Sequence, residues 1–66
     1  MATRYSHHAR EQMVARGISE NEVESAIRSG SKQLQKPDKL LSYYRYFCVV
    51  YKKLGNDFYV ITVKPR

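Results

Sequence analysis

Sixty-six residues with one cysteine and a net charge of +6 allow a single domain with a lean core, and exclude an internal disulfide or a thiolate zinc cluster as its support. A chain of this size buries only about 60% of the surface its unfolded form exposes, so dimerisation or a protein partner is expected to help it. The opening MATRYSHHAR carries no apolar run for a signal peptide, and no stretch nears the ~20 apolar residues of a membrane span, so a cytoplasmic protein off the membrane is expected.

The first periodic segment runs from about Ser6 to Arg16, where Tyr5, Ala9 and Met13 recur at helical spacing with Gln12 and Arg16 near the same stripe. Ser6 reads as the N-cap, and Gly17 as the left-handed residue that ends the helix. A second helix begins at Ser19-Glu20-Asn21-Glu22, which reads as a capping box, with Ile18 and Val23 at the positions of a hydrophobic staple. Val23, Ala26 and Ile27 form its core stripe, and Gly30 stops it.

Past Gly30 the composition turns to β-branched and aromatic residues. Ser31 to Lys36 reads as an edge strand broken at Pro37-Asp38. Leu40 to Tyr46 and Phe47 to Leu54 read as two strands, although LLSYYRYFCVVYK has no turn residue between them. Gly55-Asn56-Asp57 supplies a hairpin turn into Phe58 to Lys64, where strict alternation points Tyr59, Ile61 and Val63 toward the helices. The expected fold is α+β, with two N-terminal helices on one face of a three- to four-stranded antiparallel sheet.

The charge is unevenly placed. Residues 1 to 30 hold four arginines against four glutamates, whereas residues 31 to 66 hold eight lysines and arginines against Asp38 and Asp57. Every aromatic except Tyr5 lies in the second half too. A sheet face rich in tyrosines and cations suits a polyanion, with RNA the expected partner.

His8-Ala9, Met13, Arg16-Gly17-Ile18-Ser19, Val23 and Ala26-Ile27, followed by Val49-Val50-Tyr51 and Val60-Ile61-Thr62-Val63, resemble the small family named domain of unknown function 4258 over nearly the whole chain. The resemblance implies a fold similar to the RelE-like toxins, ribonucleases of toxin–antitoxin systems that cut RNA by metal-independent transesterification. It also implies an acidic antitoxin as partner. In the family pattern an arginine precedes the methionine, where this chain has Gln12. Any phosphate contact of that arginine is lost here or moved to Arg10 or Arg16. Lys64 and Arg66 join the candidate site by analogy of position on the C-terminal strand.

Metal-free RNA cleavage needs a base for the 2′-hydroxyl, an acid for the leaving oxygen and cations for the phosphorane charge. His8 is the candidate base or acid; its structural alternative is a hydrogen bond that orients the helix, or packing beside Tyr5. Arg16 reaches either a phosphate or the open carbonyls at the end of its helix. Arg45, between Tyr44 and Tyr46, has the surroundings for phosphate contact and base stacking, though cross-strand packing yields the same pattern. Consecutive histidines point about 100° apart on a helix, so His7 and His8 are no chelating pair, and no metal or cofactor is expected. Cys48 reads as a small buried hydrophobe.

Two functions follow. One is a toxin-type endoribonuclease with His8, Arg16, Arg45 and Lys64 in catalysis, and Tyr44, Tyr46 and Arg66 on the RNA. The other is a non-catalytic RNA-binding or partner-binding module on the same fold.

Overall fold

The computed structural model describes residues 2–35 and 38–66. In chain order these form β1 (Thr3–Tyr5), α1 (His7–Arg16), α2 (Glu20–Ser29), β2 (Ser31–Gln35), β3 (Lys39–Tyr44), β4 (Phe47–Leu54) and β5 (Asp57–Pro65). Lys36 and Pro37, where the sequence places the break after the edge strand, lie outside the described residues.

The helix ends follow the caps written in the sequence. Ser6 accepts from the Ala9 amide at 2.9 Å, and Gly17, at φ 69°, closes α1. At α2 the Ser19 hydroxyl accepts from the Glu22 amide at 3.2 Å while the Glu22 carboxylate takes the Ser19 amide at 3.0 Å, and the staple residues Ile18 and Val23 are both buried. Gly30 ends α2 in an extended conformation at φ −71°, so its role is close approach and not a left-handed turn. A Cβ there would stand 2.5 Å from the Ala26 carbonyl oxygen and the Ser42 hydroxyl, and 2.8 Å from the Tyr43 carbonyl oxygen.

The sheet corrects the expected architecture. It has five strands in the order β1-β5-β4-β3-β2, and it is mixed: β1 runs parallel to β5, pairing Thr3 with Phe58 and Tyr5 with Val60, while the other neighbours are antiparallel. Tyr5 is therefore the last residue of a strand and not the start of a helical stripe. Ser6 then does two jobs, capping α1 and donating its hydroxyl to the Ile61 carbonyl at 2.6 Å, which ties the start of α1 to the middle of β5.

Both helices lie on one face of the sheet. Ala9, Met13, Ile18, Val23, Ala26 and Ile27 meet Phe47, Val49, Tyr51, Val60 and Val63 in the main core. Ser42 is fully buried beneath α2 and donates its hydroxyl to the Ala26 carbonyl. Cys48, Leu41 and Val50 point the other way and form a second, small cluster with Tyr43 and Ile61 against it.

The facing of β5 differs from strict alternation. Tyr51 pairs with Val60 and Val50 with Thr62, so Ile61 is an extra residue, a β-bulge. Val63 faces the helices as expected, but so do Val60 and, partly buried, Phe58, whereas Ile61 joins the opposite face. Tyr59, opposite Lys52, falls on that outer face as well.

Residues 45 and 46 are not strand. Tyr44 pairs with Phe47, which leaves Arg45-Tyr46 as a two-residue hairpin turn. Arg45 takes φ 53°, the left-handed conformation usually reserved for glycine or asparagine, so nothing in its residue type marks the turn.

Candidate nucleic-acid interface

The Arg45-Tyr46 turn stands at the end of the sheet where β3 finishes, β4 starts and β5 finishes, since Tyr44 pairs with Phe47 and Phe47 with Pro65. Tyr44 is half-buried against the main core, edge-to-face with Phe47 at 6.0 Å between ring centroids. Tyr46 meets the same Phe47 ring edge-on at 5.4 Å yet remains 57% exposed. Phe47 thus anchors one tyrosine into the core and props the other outward.

Two guanidinium groups flank this turn. That of Arg45 lies 5.3 Å from the centroid of Tyr44, and that of Arg66 lies 5.7 Å from the centroid of Tyr43. Arg66 also ties the turn down: its backbone amide donates to the Tyr46 carbonyl at 3.1 Å, and its Nη1 donates to the Arg45 carbonyl at 3.3 Å. Lys64 sits two residues earlier on the outer face, opposite Cys48, and is exposed. Burial pushes the Cys48 thiol above its ordinary pKa, opposed by the positive charges of Lys64 and Arg66 and by a backbone hydrogen bond from Ser42. A buried thiol held protonated is a poor nucleophile, and Cys48 serves as apolar floor.

The carboxylates of the second half lie at the other end of the sheet. Asp38, before β3, pairs with Lys52 at 3.4 Å, and Asp57, at the start of β5, stands 3.9 Å from Arg4. These contacts neutralise two cations there. Arg45, Lys64 and Arg66 have no carboxylate partner among the described residues, nor have Lys39 and Lys53 at the other end; the turn end differs in that no carboxylate of the second half stands near it to offset its charge.

Of the residues singled out from sequence, Tyr44, Arg45, Tyr46 and Arg66 converge at this corner, with Lys64 on the adjoining outer face. His8 and Arg16 are elsewhere. Both are exposed on α1, which packs on β5 from the helix side, whereas Lys64 projects from the side opposite Val63 and the main core. His8 makes no hydrogen bond or ion pair among the described residues; its neighbour His7 meets Glu11 at 3.3 Å. Arg16 likewise has no side-chain partner there. No group of three His, Cys, Asp or Glu side chains among the described residues is placed to hold a metal ion. No described helix is long and apolar enough to cross a membrane.

Tyr43 is a member of the corner that the sequence does not mark, although Arg66 lies over its ring. Its spacing of two from Arg45 was visible, but the partner across the strands emerges only from the register, in which Tyr43 faces Cys48 and Cys48 faces Lys64.

The fold and this corner define a small α+β protein with a helical layer on one sheet face and a basic, aromatic turn at the sheet's end. The family model described as domain of unknown function (DUF4258) matches residues 5–64, and the chain belongs to that family. No curated protein and no solved structure matches it.

Proposed function

We propose that this chain binds single-stranded RNA at the corner formed by Arg45, Tyr46, Arg66, Lys64 and Tyr43. The observation that carries this reading is the pairing of guanidinium and aromatic ring twice at one end of the sheet, with both carboxylates of the second half held at the other. Cations of this kind contact phosphates, and the exposed face of Tyr46 offers a surface for base stacking, worth about 1–3 kcal/mol per base. The chemistry favours a single strand because an unpaired base has a free face to stack. Binding without cleavage suits the arrangement better than a nuclease, because Arg45, Tyr46, Arg66, Lys64 and Tyr43 include no histidine or carboxylate to act as base or acid.

The test is a titration of labelled single-stranded RNA over a range of salt concentrations in EDTA. Three phosphate contacts give a slope of log affinity against log salt of about −2, since each released counterion contributes roughly 0.7 for single strands. Arg45→Ala and Arg66→Ala should each weaken binding and make the slope shallower by about 0.7, while His8→Ala should leave both unchanged. An affinity flat in salt would overturn the reading. Cleavage in EDTA that His8→Ala abolishes would replace it with the toxin-type endoribonuclease.

A further inference from the structure

We propose that β2 is the contact through which two copies of this chain pair, edge to edge and antiparallel, about a two-fold axis at Gln33. All five residues of β2 are exposed, and the strand pairs with β3 alone, so its outer row of backbone groups is open. The other edge of the sheet, β1, is only three residues long, itself a common way of blunting an edge.

Natural sheets guard long edges with charges, prolines or bulges. Within β2 the sole charge is Lys32, and its ammonium is turned back to donate to the Gly30 carbonyl at 3.1 Å. The β2–β3 register is regular from Ser31 to Gln35, without a bulge. Leu34 is 65% exposed and pairs with Leu40, which packs on the main core, so an apolar stripe runs off the open edge.

The sequence Ser31-Lys32-Gln33-Leu34-Gln35 is complementary to itself when paired antiparallel about Gln33. Ser31 then faces Gln35 of the second copy, Lys32 faces Leu34, and Gln33 faces Gln33. No like charges stand opposite, the Lys32 stem covers the exposed Leu34, and the two Gln33 amides can hydrogen-bond across the axis. An acidic strand would find one lysine to neutralise and would leave Leu34 without an apolar partner, so a second copy is the better match. The contact is isologous and closes, consuming both β2 edges. Five residues a side bury less than the ~1,200 Å² of a stable interface, so the dimer is weak and concentration-dependent.

The proposal stands on the edge strand alone, and its test contains no RNA. Directly opposite residues of an antiparallel pair have Cα atoms about 4.5–5.5 Å apart, inside disulfide range, whereas residues two out of register are about 7–8 Å apart, outside it. Mild oxidation of Gln33→Cys should give a covalent dimer, at least tenfold faster than Lys32→Cys; the fully buried Cys48 does not compete. Sedimentation of the unaltered chain should show a mass rising with concentration toward the dimer. Gln33→Lys, which sets two ammonium groups on the axis, should restore the monomer with an unchanged circular dichroism spectrum. A monomer at every concentration, or equal cross-linking at positions 32 and 33, would overturn the proposal.

Discussion

Arg45 holds a conformation that suits glycine, and replacing it separates the role of its side chain from that of its backbone. At φ 53° an L-residue carries roughly 1–2 kcal/mol of steric cost. Glycine escapes that cost but gives back about 0.5–1 kcal/mol through the extra freedom of its unfolded chain. Any replacement also removes the guanidinium from over Tyr44, an exposed cation–π contact of about 0.5–1 kcal/mol. Arg45→Ala keeps the strain and loses the contact, so it should fall about 0.5–1 kcal/mol below the parent. Arg45→Gly should stand about 1 kcal/mol above Arg45→Ala, close to the parent. In a domain of this size that difference is roughly 4–8 °C in melting temperature. Thermal and urea denaturation of the three proteins, beside an RNA titration of each, reads both quantities. The two variants should lose RNA affinity equally while differing in stability. Equal stability of the Ala and Gly variants would refute the strain at this turn, and retained affinity in either would remove Arg45 from the interface.

Gly30→Ala should cost about 3 kcal/mol or more in urea denaturation, because two of the three atoms the new methyl meets are backbone carbonyl oxygens that cannot swing away. Ser42→Ala should cost only about 1 kcal/mol, since the Ala26 carbonyl that loses its hydroxyl donor keeps the Gly30 amide at 2.8 Å; with the hydroxyl gone, the double variant should be less destabilised than the two singles together. Tyr5 has a buried hydroxyl without a partner among the described residues, and its pKa is pushed up to about 12, first by burial, then by Glu24 and Glu20, against the opposing charge of Arg10. The folded value lies above the ordinary 10, so the stability Tyr5 contributes is complete below pH 10 and is lost as pH rises from there toward about 12. Tyr5→Phe should flatten that part of the alkaline loss, leave neutral stability unchanged or slightly raised, and be measured by urea denaturation at stepped pH.

The sequence makes the helices legible because their signals are local. Ile18, Ser19, Glu22 and Val23 lie within six consecutive residues, and Gly17 needs no distant partner to end α1. The β1 strand is illegible for the converse reason: Thr3-Arg4-Tyr5 is too short to show a period, abuts the Ser6 cap, and pairs with residues 55 positions away. Its Tyr5 also falls four residues before Ala9, which draws it into a helical stripe. Likewise the period of β5 breaks at Ile61, and a bulge has no residue-type signature when the extra residue is as apolar as its neighbours. Arg45 hides the β3–β4 turn because its side chain argues for strand while its backbone does not.

The candidate site was legible in composition but not in arrangement. Tyrosines and cations crowd the second half, yet which of them act together depends on strand order and facing. The bulge is central to that arrangement. By adding Ile61 it lets Val60 and Val63 both enter the main core, and it sets Lys64 on the outer face opposite Cys48. Arg66, two residues on, then reaches Tyr43 and the carbonyl of Arg45. If the same residues alternated strictly from Val60 in the core, with no bulge, Lys64 would turn toward the helices and Val63 would fall on the outer face. The small outer cluster of Leu41, Cys48 and Val50 has a matching purpose: it gives Tyr43 a packed floor, so that Arg66 lies over a ring whose position is fixed.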